Sequence, residues 1–135
     1  MQPASKPPKR PVSVLVLLHD GAGHVLLLER ADRAGFWQSV TGSLEDGETP
    51  VQAALREVAE ETGITITNLR YFGSQPWPYP NGLMVGFEAD YVAGNIHLQK
   101  EELSHGAWFS KENLPAVPDK LSIARKMIDH WRTQD

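Results

Sequence analysis

The sequence predicts an α/β domain in which a mixed β-sheet is sandwiched between α-helices. Three observations carry that expectation. Residues 11–20, PVSVLVLLHD, are apolar and β-branched and run into a DGAG turn, the pattern of a strand entering a hairpin. Residues 49–63 carry helix start and stop signals at both ends. Residues 122–131, SIARKMIDHW, place Ile123, Met127, Ile128 and Trp131 on one side of a second helix, as an amphipathic segment does.

HVLLLER (24–30) reads as the partner strand of the hairpin. ADRAGFWQS (31–39) reads as a loop and VTGSL as a short strand or its end. The first helix opens at Thr49, a good N-cap, with Pro50 at the first helical position and Gln52 completing a Thr-x-x-Gln capping box. Gly63 is its natural stop. Val51, Ala54, Leu55 and Val58 are expected to form its buried stripe, with Arg56, Glu57, Glu60 and Glu61 largely on the other side. ITITNLRYFGSQ and LMVGFEADYV read as strands around a proline-rich loop at 75–82, and NIHLQKEELSHGAWFS mixes strand and loop. Trp108 and Phe109 are expected in the core.

The length of 135 residues suits one domain. Residues 1–10 read as a flexible basic and proline-rich tail and 11–135 as a single domain. No apolar run approaches ~18 residues, so no membrane helix is expected, and MQPASKPPKRP has no apolar core for a secretory signal. There are no cysteines, which excludes disulfides and thiolate zinc sites and is compatible with a cytoplasmic location. A net charge of −4 and a pI near 5.7 argue against extended nucleic-acid binding. Lys6, Lys9 and Arg10 form a basic cluster in the tail, read as a solvated leader. The five histidines show no metal-ligand spacing and are read as surface residues.

The chemistry concentrates in GSLEDGETPVQAALREVAEETGI, residues 42–64, with six carboxylates in 23 positions. Glu57, Glu60 and Glu61 stand at i, i+3 and i+4 and share a helix face. Each like-charge pair at such spacing costs roughly 0.2–0.5 kcal/mol. Arg56 offsets one of them, Glu60 at i+4 being the nearest choice, and a divalent cation between the carboxylates removes the rest of the repulsion. Hard oxygen ligands suit Mg²⁺ or Mn²⁺.

The spacing of Gly42, Glu48, Arg56-Glu57-Val58, Glu60-Glu61 and Gly63-Ile64 resembles the Nudix box at all nine fixed positions. The Nudix family comprises hydrolases acting on nucleoside diphosphates linked to another moiety. The resemblance implies a Nudix fold, a Mg²⁺- or Mn²⁺-dependent pyrophosphohydrolase and a small nucleotide substrate. By position it makes Glu57, Glu60 and Glu61 metal ligands, joined by the Gly42 carbonyl, and pairs Glu48 with Arg56 to lock the loop onto the helix. Glu57 is the first choice of general base and Glu102 the second. A non-catalytic nucleotide sensor is the reading from another class; it fits less well, because every box carboxylate is present.

The flanks resemble two branches of the family. KRPVSVLVLL (9–18) and GFWQSVTGS (35–43) are similar to dihydroneopterin triphosphate pyrophosphatases, which implies nucleoside or pterin triphosphates as favoured substrates, with pyrophosphate released. SQPWPYPNGLM (74–84) and EELSHGAWFSKENLP (101–115) resemble NADH pyrophosphatases, which implies the alternative, a dinucleotide cleaved to NMN(H) and AMP. That second resemblance adds Glu102 to the metal site and carries the option of a homodimer. The chain departs from it at Ser43, where that branch has an aromatic residue, and at Gly82, where its array ends in serine. Gln38, Ser43, Gln75, Trp77 and Tyr79 are the candidate substrate contacts, with packing against the core the competing role for Trp77. Related enzymes remove caps from RNA, and a capped 5′ end needs no long basic track.

Overall fold

The computed structural model describes residues 12–76, 82–98, 103–118 and 121–134. The tail expected at 1–10 lies outside them. The elements run β1 (Val12–His19), β2 (His24–Arg30), β3 (Trp37–Gln38), β4 (Val40–Ser43), α1 (Pro50–Thr62), β5 (Thr65–Pro76), β6 (Leu83–Ala93), β7 (Leu103–Ser110) and α2 (Ile123–Arg132). Together they make the mixed sheet between helices that the sequence predicts. No helix among the described residues is long and apolar enough to cross a membrane.

The sheet reads β3-β2-β1-β6-β5, with β4 on β1 and β7 on β2. β1 is its axis. One edge of β1 pairs in parallel with β6 from Val12↔Leu83 to His19↔Asp90. The other edge is shared. β4 takes Ser13 to Val16 antiparallel, whereas β2 meets β1 at His19↔Val25, beside the turn. Asp20 fixes that turn by accepting from the backbone N–H groups of Ala22 (2.7 Å) and His24 (3.0 Å). From the turn, β2 and β4 diverge, and the sheet forks between them.

The two faces of the sheet hold two cores. Val14, Val16 and Leu18 of β1 and Leu26 and Leu28 of β2 pack with Ala53, Ala54 and Val58 of α1. Leu15, Leu17, Val25 and Leu27 pack with Ile123, Met127, Ile128 and Trp131 of α2. Strand alternation therefore feeds both layers, and burial of each such aliphatic side chain is worth roughly 1.5–3 kcal/mol. Trp108 packs against the first core and Phe109 against the second.

Three local expectations change. The segment 31–39, read as a loop, contains β3, whose two residues pair with Leu28 and Glu29; a pair of residues is too short for alternation to show in sequence. The buried stripe of α1 keeps Ala54 and Val58 of the four expected residues but not Val51 and Leu55, which are 48% and 46% exposed; Ala53, Glu61 and Thr62 are buried in their place. Small alanines bring the helix close to β4 and β1, and this rotation turns Glu61 inward. Of the histidines, His97, His105 and His130 are exposed, but His19 and His24 are half-buried, with His19 Nε2 3.2 Å from Glu88.

Candidate functional site

α1 begins with the predicted capping box, Thr49 accepting from the Gln52 N–H while Gln52 reaches back to the Thr49 N–H, and ends at Gly63 with φ 70°. These caps fix where the turns of the helix fall and so which way Arg56 and the glutamates point.

Arg56 is the hub. Its Nε donates to Glu48 Oε2 at 2.7 Å and its Nη2 to Glu48 Oε1 at 2.9 Å, a two-pronged pair. Nη2 also donates to the Ser43 carbonyl (2.9 Å), and Nη1 to Glu57 Oε1 (2.8 Å) and Glu60 Oε2 (3.1 Å). The guanidinium thus finds an acceptor for each of its five donors. The loop from Ser43 to Glu48 is pinned to the helix, and the repulsion between Glu57 and Glu60 is offset by one cation that touches both. The Glu48 carboxylate holds the Arg56 guanidinium still further above its ordinary range, against a smaller opposing effect of burial.

Hydrogen bonds from Arg56, and next from the Glu45 N–H, hold the Glu48 carboxyl below its ordinary value of 4.5. Its pKa is lowered on folding, so its stabilisation is fully present above the ordinary value and is lost as pH falls through the folded one. We expect melting temperature to fall as pH drops below about 4.5, and Glu48→Gln to flatten that part of the profile. A scan of both proteins from pH 7 to pH 3 checks this.

The three box carboxylates have different surroundings. Glu61 is 4% exposed, and Thr41 donates its N–H to Glu61 Oε2 at 3.3 Å. The Glu57 side chain is 13% exposed and lies against Gly42, where a Cβ would overlap its carboxyl group. The Glu60 side chain is 54% exposed. Among the described residues no three acidic or imidazole groups gather closely enough to hold an ion between them. The donors nonetheless fit a hard divalent cation in kind: a buried carboxylate and a second one cradled on a glycine, both oxygen ligands.

At the fork of the sheet lies a cleft of about 180 Å³. It is lined by Glu61, Thr41, Gly42 and Ser43 together with Gln38, Ser13, Arg30 and Leu103. Among the residues singled out by sequence, Glu48, Arg56, Glu57, Glu60, Glu61 and Gly42 come together, and Gln38 and Ser43 face the cleft. Gln75 does not join them: its amide donates to the Leu121 carbonyl (2.6 Å) and accepts from the Ile123 N–H (2.7 Å), bracing the start of α2. Trp77, Tyr79 and Glu102 lie outside the described residues. Sequence reasoning missed Arg30, Ser13, Thr41 and Leu103. Their only sequence signal is a basic residue closing the apolar β2 strand; the rest depends on strand register.

The chain matches the family model described as NUDIX domain over residues 9–131. It is 46% identical over 118 residues to the NAD-capped RNA hydrolase NudC of Pasteurella multocida, covering 87% of this chain and 45% of that protein. The protein of the same name from Haemophilus influenzae is 51% identical over 112 residues, 78% of this chain and 42% of that one. The chain therefore spans less than half the length of these relatives. Among solved structures, an ADP-ribose pyrophosphatase from Streptococcus suis superposes with a TM-score of 0.74 at 17% identity, covering 91% of this chain and 90% of that one, a likeness of fold. The E. coli dihydroneopterin triphosphate pyrophosphohydrolase superposes with a TM-score of 0.62 at 29% identity, covering 93% and 97%. Coverage this broad means that neither likeness is confined to one half of the chain.

Proposed function

Because the chain belongs to the Nudix family, we propose that it is a divalent-cation-dependent pyrophosphohydrolase that cleaves the diphosphate of an NAD-type dinucleotide, free or at the 5′ end of an RNA. The observation that carries the substrate class is the 46–51% identity to NAD-capped RNA hydrolases over most of this chain. That likeness moves the dinucleotide reading ahead of the triphosphate reading that the segment 35–43 favours.

Glu57 and Glu61 would hold the cation through carboxylate oxygens, with Glu60, the carbonyl of Gly42 and Glu102 as further ligands. A bound Mg²⁺ or Mn²⁺ would neutralise the diphosphate and make a water more acidic. Glu57, or Glu102 as second choice, would act as the base that takes a proton from the attacking water. Glu48 and Arg56 hold these groups in register and do not themselves meet the substrate. Gln38 and Ser43 offer hydrogen bonds in the cleft, and Arg30 offers positive charge to an anionic substrate.

A second reading, hydrolysis of nucleoside or pterin triphosphates, is supported by the 29% identity to the dihydroneopterin enzyme. Chromatographic product analysis with Mg²⁺ on NADH, an NAD-capped oligonucleotide and a panel of triphosphates separates them. NMN(H) with AMP, or NMN with 5′-monophosphate RNA, is the expected result. Monophosphate and pyrophosphate from triphosphates alone would favour the second reading. No product from any of them, in a folded protein whose melting temperature Mg²⁺ leaves unchanged, would sink both.

A further inference from the structure

One carboxylate outside the Nudix box joins three segments of the chain through three polar partners. Glu29, at the end of β2, accepts from the Gly35 N–H through Oε2 at 2.7 Å. Its Oε1 lies 2.8 Å from His105 Nδ1 and accepts from the Ser104 hydroxyl at 3.2 Å. The Glu29 side chain is 15% exposed. These bonds, with the Gly35 N–H foremost, hold its carboxyl below the ordinary range. A single side chain thus ties β2 to the loop before β3 and to the start of β7.

The tie sits on a register shift. β2 and β7 pair regularly from His24↔Ser110 to Glu29↔His105, but the next pair is Arg30↔Leu103. Ser104 is the extra residue of a β-bulge. A bulge changes which face of the sheet the following residues present. Without it Ser104 would stand opposite Arg30 and Leu103 would face away. With it Leu103 is 3% exposed in the core cluster that also holds Leu28, and Leu103 and Arg30 line the same cleft as Glu61. The Ser104 hydroxyl and the neighbouring His105 ring are the groups that Glu29 holds.

We propose that Glu29 is a positioning residue for substrate binding: its carboxylate holds the Ser104 bulge and the Gly35 loop, and so sets Arg30 and Leu103 as the wall of the cleft beside Glu61. This rests on the pyrophosphohydrolase reading. Arg30 donates to Asp32 through Nε (2.9 Å) and Nη2 (3.0 Å), and whatever charge it would lend a bound anion acts equally before and during reaction, so disturbing it raises KM more than it lowers kcat. Displacement of a contact by about 1 Å is enough for up to about a hundredfold.

The test is a double-mutant cycle with steady-state kinetics on the substrate that the product analysis identifies. Glu29→Ala is expected to raise KM between about tenfold and about a hundredfold with kcat within about threefold. Glu29→Gln, which keeps an acceptor for Gly35, is expected to recover most of the loss. Arg30→Ala should resemble Glu29→Ala, and the double variant should fall well short of the summed losses, since Glu29 acts in large part through Arg30. An unchanged KM in Glu29→Ala, or additive losses in the double variant, would overturn the proposal. Should Glu29→Ala fail to fold, Ser104→Ala combined with His105→Ala removes the two partners on β7 while leaving the Gly35 N–H, and is expected to shift KM in the same direction. If the wild-type protein cleaves nothing, the functional reading fails separately, and NMR still decides this one. Glu29→Ala should then speed amide exchange at Gly35 and Leu103 and move the Arg30 Nε signal; the same signals left in place would refute it.

Discussion

Glu61→Gln is expected to lower kcat/KM by at least about a hundredfold while leaving the melting temperature unchanged or raised. Groups that merely orient a metal ligand typically cost 10–100-fold when lost, so a ligand itself should exceed that range. The stability half of the result follows from burial. Glu61 is 4% exposed on the side of α1 that packs with Ala53, Ala54 and Val58. Taking a carboxylate into such surroundings is costly. The Thr41 N–H needs only an acceptor, which glutamine retains at nearly the same place. Activity and stability should therefore part company, as expected of a group kept for its chemistry. Glu60→Gln should cost less, because the Glu60 side chain is 54% exposed and already engages Arg56. Kinetics over a Mg²⁺ titration, paired with thermal melts, give both readouts. Near-normal turnover in Glu61→Gln would place the cation elsewhere, and a large fall in melting temperature would assign Glu61 a structural role.

The same residue marks the limit of what the sequence made legible. The capping box, the Gly63 stop and the Ile123-Met127-Ile128-Trp131 stripe are local patterns, and each stands in the structure as read. The pairing of Glu48 with Arg56 follows from the family resemblance, and the two side chains lie 2.7 Å apart in the structure. Sequence pattern groups Glu61 with the outward charges because periodicity describes a helix and not the surface against which it rotates. That surface is β4 and β1, and their register is a contact between distant parts of the chain. The cleft is illegible for the same reason. It exists because β2 and β4 share one edge of β1 and then diverge, and its wall depends on a bulge between β2 and β7. Gln75 reads as a substrate contact in sequence, but the start of α2, 46 to 48 positions away, occupies both ends of its amide.

Gly42→Ala should be the most informative single methyl group that can be added to this chain. A Cβ at residue 42 would overlap the Glu57 carboxyl group. The obstacle is the far end of a flexible side chain, so Glu57 gives way and the backbone does not. In moving, it loses its 2.8 Å bond from Arg56, while Arg56 keeps Glu48, Ser43 and Glu60. The loop therefore stays pinned and the fold survives, at a cost of about 1–3 kcal/mol for overpacking. Activity should fall by about a hundredfold or more, because the displaced Glu57 carboxylate no longer stands against residue 42, where the proposed cation would meet it. A second substitution tests that cause. Glu57→Asp shortens the side chain by one methylene and makes room for the new Cβ. On the wild-type background it should be harmful, but with Gly42→Ala it should cost little more and should restore the melting temperature. Kinetics and melts of the four proteins close the cycle. Full activity in Gly42→Ala would show that the chemistry does not need Glu57 where the structure holds it, and simple additivity would show that the glycine matters for some reason other than the space it leaves.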